Sequence, residues 1–188
     1  DSTIGEEYKW LEYIRDEADR LTALTNDLLT LARSDADEGE TVHPEISFTD
    51  IAEDVLLENE AVAFENGVIL ESCIAEGITL TAPPEGLRQL VLILTDNAIK
   101  YTPKGGRIDV TLVRESGRIL FCVENDGEIS QEDLPHIFER FYRADKSRAR
   151  ESGGYGLGLA IAESLTQSMG GKITAESENG KTRFTIIF

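Results

Sequence analysis

A run of glycines that passes directly into an apolar, helix-like stretch is the part of this sequence best suited to hold an anion. Residues 153–162 read Gly-Gly-Tyr-Gly-Leu-Gly-Leu-Ala-Ile-Ala, so Gly154, Gly156 and Gly158 alternate with larger residues. Glycine lets the backbone approach a ligand closely, and the first N–H groups of a helix point outward at the positive end of its dipole. The alternative is a glycine-rich turn before an ordinary core helix.

Two common phosphate-binding patterns do not fit this run. A dinucleotide fingerprint opens a helix straight after a strand, whereas residues 144–152 are polar and typical of an exposed loop. A P-loop continues with Lys and then Ser or Thr, whereas Leu159 and Ala160 follow Gly158. The segment upstream supplies positive charge instead, because residues 138–150 carry a net charge of +3 in a chain of −18. Its basic residues are Arg140, Arg143, Lys146, Arg148 and Arg150.

A second group of polar residues ends a strongly apolar helical pattern. Asp96 and Asn97 are followed by Lys100, which lies three residues after Asn97 and therefore on the same helical face. Asparagine is unfavourable inside a helix, and its side-chain oxygen suits a hard cation such as Mg²⁺. These residues indicate a ligand-binding role, with a polar helix end as the alternative.

Charge and composition exclude several classes of protein. Residues 1–60 hold 18 acidic and 4 basic residues of this 188-residue chain, so the basic face that nucleic acid requires is missing. Cys73 and Cys122 stand apart in strand-like segments, and we expect both to be core residues in a reducing compartment. No apolar run approaches the roughly 20 residues of a membrane span. Since the chain begins without methionine, we expect a fragment of a longer protein.

Residues 6–34 predict one long helix. Apolar or small residues repeat there with the alternating spacing of three and four that is typical of a coiled-coil seam. A helix of about 40 Å is too long for one compact domain to cover, so a partner helix is expected. The seam consists of Leu11, Ile14, Ala18, Leu21, Thr25, Leu28 and Ala32, widened by Trp10, Leu24 and Leu31.

The remainder of the chain predicts an α+β fold. Strands are expected at 46–48, 68–74 and 78–82, and helices at 50–66 and 85–101, the first of these helices with Thr49 as its N-cap. Hairpins join 107–115 to 118–124 and 172–177 to 182–188. The predicted architecture is a two-layer sandwich with a mixed sheet of about five strands and three helices, preceded by the long N-terminal helix.

Four motifs in this part of the chain carry a family resemblance. They are Asn97-Ala-Ile-Lys-Tyr-Thr-Pro, Asn125-Asp-Gly, the stretch 134–148 and Gly153-Gly-Tyr-Gly-Leu-Gly-Leu. In order and spacing they resemble the N, G1, F and G2 boxes of sensor histidine kinases, over about residues 45–188. Residues 1–40 resemble the second helix of that family's dimerisation and phosphotransfer domain, down to a Leu-Leu-Thr-Leu-Ala-Arg ending at Arg33.

The resemblance implies a Bergerat fold that binds ATP and Mg²⁺ beneath a lid. Asn97 would hold Mg²⁺ beside Asp96, Lys100 would contact phosphate, and Tyr101 would lie near the nucleoside. The phosphates would also be held by Lys146, Arg148 and Arg150 and wrapped by the motif Gly154, Tyr155, Gly156, Leu157, Gly158 and Leu159. Phe138 and Phe141 would anchor the entrance of the lid, with plain core packing as the alternative.

Three departures from the family pattern stand out. Ile93 occupies the position of a second asparagine one turn before Asn97. The G1 motif, which ends at Gly127, is one residue short, so either Asn125 or Asp126 would accept from the adenine amine. The phosphoacceptor is missing, because neither His43, before Pro44, nor His136, in the F motif, has the required neighbours.

We therefore interpret the chain as the ATP-binding catalytic fragment of a sensor histidine kinase. It would position Mg–ATP for γ-phosphoryl transfer to a histidine upstream, for relay to a response regulator. Its parent would be a homodimer and a membrane-anchored bacterial sensor with this portion in the cytoplasm. The alternatives are a degenerate module that acts as a dimerisation scaffold with weak or no ATP binding, and a fold-sharing serine kinase or ATPase.

Overall fold

Seven strands form two sheets in a computed structural model, which describes residues 2–36, 43–144 and 155–188. The strands are β1 Glu45–Ser47, β2 Ile69–Ile74, β3 Thr79–Thr81, β4 Arg107–Glu115, β5 Arg118–Asp126, β6 Lys172–Glu178 and β7 Lys181–Ile187. The main sheet has the order β2-β4-β5-β7-β6, in which only the pair β2 and β4 is parallel. β1 and β3 make a separate antiparallel pair. The predicted mixed five-stranded sheet is confirmed.

Both predicted hairpins form, and their turn residues explain why. Ser116 and Gly117 have φ of 51° and 82°, and Asn179 and Gly180 have φ of 55° and 77°. Two successive residues with positive φ are typical of the tight turns whose twist matches that of antiparallel strands.

The helices are α1 Ser2–Ala36, α2 Phe48–Asn66, α3 Pro84–Tyr101 and α4 Gly158–Ser168. The predicted N-cap of α2 is wrong, because Ser47 takes that role and its Oγ accepts a hydrogen bond from Asp50 N at 3.1 Å. Thr49 is buried and links two distant segments instead, donating to Ala75 O at 2.7 Å and accepting from Ile78 N at 3.1 Å. α2 ends as expected at Gly67, in the left-handed region.

The core lies between one face of the main sheet and helices α2, α3 and α4. Strand β5 alternates strictly between buried and more exposed residues, and β4 does so up to Val113. The inward side chains of β5 are Ile119, Phe121, Val123 and Asn125. Because this alternation holds to the end of β5, the polar side chain of Asn125 lies at the edge of the sheet face that the helices cover.

Helix α1 packs on this domain along only part of its length. Leu31 is buried in the core, Leu24 packs against it, and α1 lies against α4. The predicted seam is exposed at every position. Among the described residues no helix is long and apolar enough to cross a bilayer.

Candidate functional site

The C-terminal end of α3 brings its polar residues out of the core. One face of the helix is buried as far as Ile99, whereas Asn97 is half-buried and Asp96 and Lys100 are exposed. Thr102 closes the helix, because its backbone N and its Oγ1 both donate to Ala98 O, at 3.0 and 2.7 Å. Asn97 and Lys100 therefore lie on the last two turns of a rigid, buried helix.

Asp96, Lys100 and Arg143 form one electrostatic group. Desolvation by the surrounding protein raises the pKa of the Asp96 carboxyl although its surface stays accessible, and Lys100 partly offsets this rise. Desolvation also lowers the pKa of Lys100, the positive charge of Arg143 lowers it further, and Asp96 opposes both effects. An anion bound beside two such cations would relieve their repulsion. This arrangement suits a phosphate group.

The glycine run and the segment before it are held together by backbone contacts. Gly156 has φ of +73°, and a Cβ at this position would lie 2.5 Å from Tyr142 O and 2.9 Å from the carbonyl carbon of Phe141. The Gly156 carbonyl accepts a hydrogen bond from Phe141 N at 2.9 Å. The same Cβ position is 3.1 Å from Arg143 Cγ. Only glycine fits at position 156. The close approach that it allows places Arg143 near the start of α4.

The N-terminus of α4 lies beside α3. Gly158 is the first residue of α4, and a Cβ on it would be 3.5 Å from Ile93 Cγ2, one turn before Asn97. The first turn of α4 carries no acidic side chain, so none there competes for its N–H groups. Leu157 is buried, and Tyr155 and Leu159 pack against the core, so these three could meet a ligand chiefly through their backbone.

Arg143 is the site residue that sequence reasoning missed. It belonged to the basic segment, but nothing in the local pattern distinguished it from Arg140. Its place beside Lys100 depends on the contact with Gly156, which is 13 residues further along the chain. The only signal in the sequence was its membership of the basic segment that precedes the glycine motif.

The end of β5 distinguishes the two candidates for adenine recognition. Asn125 is only 4% exposed, and its Nδ2 donates to Asp126 O at 2.9 Å. Within the described ranges no donor bonds its Oδ1, which leaves a buried acceptor without a partner. Asp126 points to the other face of the sheet, where its Oδ2 accepts from Arg107 N at 2.9 Å. Asn125 thus has the acceptor that an adenine amine needs, whereas Asp126 is engaged with β4.

Gly127 brings the end of β5 to the end of α3. A Cβ on Gly127, which has φ of +128°, would lie 3.1 Å from Tyr101 O. Its N–H donates to Gly180 O at 2.8 Å, and its carbonyl accepts from Thr182 Oγ1 at 3.0 Å. The backbone of Tyr101, a half-exposed residue, therefore lies at the junction that also carries Asn125.

Two buried hydroxyls support this junction and were not foreseen. Ser177 and Thr182 are 4% and 3% exposed, and their hydroxyl oxygens are 3.0 Å apart. Ser177 Oγ also accepts from Ile129 N at 2.8 Å, which ties the loop after β5 to the sheet. Hydroxyl residues at inward positions of strands β6 and β7 were the available signal.

Phe138 and Phe141 of the F motif lie in different environments. Phe138 packs edge-on against Phe184 with ring centroids 6.4 Å apart, which is the core-packing alternative. Phe141 is 61% exposed. His136 closes a short 3-10 turn, Leu134–His136, and its Nδ1 lies 2.6 Å from Glu139 Oε1.

Lys146, Arg148, Arg150 and Gly154 lie outside the described residues. No group of three or more His, Cys, Asp or Glu residues suited to a metal occurs in the described part of the chain. The Asn97 amide oxygen could hold a magnesium ion together with phosphate oxygens and water, the ligands that this ion commonly takes.

The family, the relatives and the solved structure that this chain resembles all include histidine kinases. Residues 82–188 match the family described as histidine kinase-, DNA gyrase B-, and HSP90-like ATPases. Sensor histidine kinase YkoH of Bacillus subtilis is 35% identical over 95% of this chain and 38% of its own length. Sensor histidine kinase RppB of Synechocystis is 36% identical over 94% of this chain and 39% of its own. The solved structure of full-length ShkA in complex with AMPPNP aligns with a TM-score of 0.82 and 28% identity, over 97% of this chain and 38% of that one.

The chain belongs to the family of histidine kinase-, DNA gyrase B- and HSP90-like ATPases, since the match covers more than half of it. Within that family it is an ATPase-type catalytic domain of the kind found in sensor histidine kinases. The relatives do not favour a degenerate scaffold. The chain spans well under half the length of these curated relatives.

Proposed function

We propose that this chain binds Mg–ATP at the junction of α3, β5 and α4 and presents its γ-phosphate for transfer to a histidine. The observation that carries this proposal is the buried, unpartnered Oδ1 of Asn125 at the end of β5, which Gly127 brings to the end of α3 that carries Lys100. The Asn125 acceptor suits a neutral base with an exocyclic amine. Lys100 and Arg143, which form one electrostatic group, suit a polyanion.

Each part of the nucleotide has a matching group. Asn125 accepts from the adenine amine, and Tyr101 lies along the nucleoside. Lys100 and Arg143 neutralise phosphate charge, and the N–H groups that begin α4 at Gly158 bind phosphate oxygens. We extend the proposal to Lys146, Arg148 and Arg150 as further cations for phosphate.

Asn97 contributes the protein ligand to Mg²⁺, with Asp96 adjacent to it. Mg²⁺, when bound, offsets the negative charge of the β- and γ-phosphates. Phosphoryl transfer requires positioning and charge neutralisation more than covalent help from the enzyme. Residues of this chain therefore orient the triphosphate and neutralise its charge, and the attacking imidazole comes from elsewhere.

The acceptor histidine belongs to a longer protein. His136 is bonded to Glu139 in the 3-10 turn, and His43 precedes a proline next to β1. We assign residues 1–40 to the second helix of a dimerisation and phosphotransfer domain and residues 45–188 to the ATP-binding domain. The exposed seam of α1 supports a homodimer through a helical bundle. A response regulator then takes the phosphate, and the parent is a membrane-anchored bacterial sensor with this portion in the cytoplasm.

The test is Mg²⁺-dependent binding of ATP to this chain, measured by calorimetry. Asn97→Ala is expected to abolish the dependence on Mg²⁺ and to weaken ATP binding at least tenfold, the effect of losing about 1.4 kcal/mol. Asn66→Ala is the matched control. Asn66 is the last residue of α2, its Nδ2 donates to Val62 O on the same helix, and it is none of the residues assigned to ATP or Mg²⁺.

A chain that binds no ATP with or without Mg²⁺ contradicts the proposal and favours the scaffold. An Asn97→Ala variant that keeps Mg²⁺-dependent binding contradicts the role given to this residue. Equal losses in Asn97→Ala and Asn66→Ala would point to damage of the fold and not of a site.

A further inference from the structure

Phe141 has a backbone conformation that its side chain does not favour. Its φ is +66°, in the left-handed region that β-carbon-bearing residues rarely adopt. Its ring is 61% exposed, so burial of the side chain does not explain the conformation. A strained residue persists only where its surroundings hold it, and such residues cluster at functional sites.

Two contacts of neighbouring residues hold this turn. On one side Phe141 N donates to Gly156 O at 2.9 Å. On the other side the Tyr142 hydroxyl donates to Asp133 Oδ1 at 2.5 Å, while Ser130 Oγ donates to Asp133 Oδ2 at 2.6 Å. The Tyr142 hydroxyl thereby links the segment before the glycine run to the loop that precedes the 3-10 turn.

The residue directly after this link is Arg143. Its Cγ lies 3.1 Å from the Cβ position of Gly156, so the backbone of the turn decides where its side chain begins. From there its charge reaches Lys100 on α3.

We propose that Tyr142 is a positioning residue, whose hydrogen bond to Asp133 holds the strained turn at Phe141 and so places Arg143 beside Lys100 as a second cation for phosphate. The inference rests on the proposed function in that the anion is the triphosphate of ATP. The Tyr142–Asp133 link does not touch the nucleotide. It acts through Arg143, and therefore on the phosphate end alone.

The first test compares ATP with adenosine, which lacks the phosphates, by calorimetry and by competition. Tyr142→Phe is expected to weaken ATP binding about tenfold, the effect of losing one hydrogen bond to a charged group. Adenosine affinity is expected to stay unchanged. Asp133→Ala also removes the acceptor of Ser130 Oγ, so its loss should be at least as large. The double variant should be no weaker than Asp133→Ala, because the Tyr142–Asp133 bond is already absent there. Tyr13→Phe, which deletes the same hydroxyl from an exposed site on α1, is the control.

The second test needs no ligand. The pKa of Lys100, followed by NMR of its side chain in the free protein, should rise in Tyr142→Phe, because the charge of Arg143 moves away. If the chain fails to bind ATP at all, the proposed function fails while this titration still decides the inference. An unchanged Lys100 titration together with unchanged ATP affinity overturns it. So does an equal loss of ATP and adenosine affinity with a lower melting temperature, which would indicate only a structural role.

Discussion

Replacing Gly156 by alanine separates backbone strain from steric overlap at the site. Gly156 and Gly170 have nearly the same φ, +73° and +77°, but a Cβ on Gly170 meets nothing within 4 Å. An L-residue in the left-handed region costs about 1–2 kcal/mol at either position. At Gly156 the new Cβ would also lie 2.5 Å from Tyr142 O and 2.9 Å from the carbonyl carbon of Phe141, both backbone atoms that cannot simply rotate away.

The overlap adds about 1–3 kcal/mol, as overpacking does in other proteins. The free protein can relieve it by moving the turn away from α4, but a nucleotide that needs Arg143 and the start of α4 together restores the overlap. The cost therefore opposes binding. We expect Gly156→Ala to bind ATP about 5- to 150-fold more weakly than Gly170→Ala.

The assay is calorimetric titration of ATP with Mg²⁺ in excess, accompanied by thermal unfolding of both variants. Gly170→Ala reports the cost of strain alone, because its Cβ would meet nothing within 4 Å. Equal ATP affinities in the two variants would refute the reasoning, as would a Gly156→Ala variant that binds as tightly as the wild type.

Three further outcomes are expected. ATP affinity should fall as pH rises through the lowered pKa of Lys100, because its charge is lost at a lower pH than in an ordinary lysine; Lys100→Arg should remove this dependence in calorimetric titrations at alkaline pH. Leu94→Ala, in the fully buried face of α3, should lower the free energy of unfolding by about 2–5 kcal/mol in urea titrations, and Leu92→Ala, 37% exposed, by much less. A hydrogen bond from Lys181 lowers the pKa of the Glu124 carboxyl. The stabilisation that Glu124 provides is therefore complete above the ordinary carboxyl pKa and is lost as pH falls through the lowered pKa of Glu124. Glu124→Gln should flatten the acid side of a plot of melting temperature against pH.

Local chemistry was sufficient to predict most of the elements. Turn residues such as Asn179-Gly180 and the glycine at 67 act within a few residues, and the periodicity of residues 6–34 depends only on helical spacing. The same holds for the exposed seam of α1, since a one-sided stripe on a long helix is visible in the order of residues. The four motifs indicated the family because their order and spacing are also visible in the sequence.

Contacts between distant residues decided the details of the site. Asn125 and Asp126 are adjacent and similar in local preference, and the pairing of Asp126 with the amide of Arg107, 19 residues away, separates their roles. Ser47 and Thr49 are both suitable caps, and the bonds of Thr49 to Ala75 and Ile78 leave the cap to Ser47.

Arg143 shows the same limit most clearly. Its neighbours in sequence are equally basic, and its place beside Lys100, 43 residues earlier, follows from a glycine that admits no side chain and a turn held by Asp133. Residue types and spacing therefore determined the elements and the kind of ligand. The folded arrangement alone decided which of several equivalent polar groups meet, because that choice depends on packing between segments whose local preferences are the same.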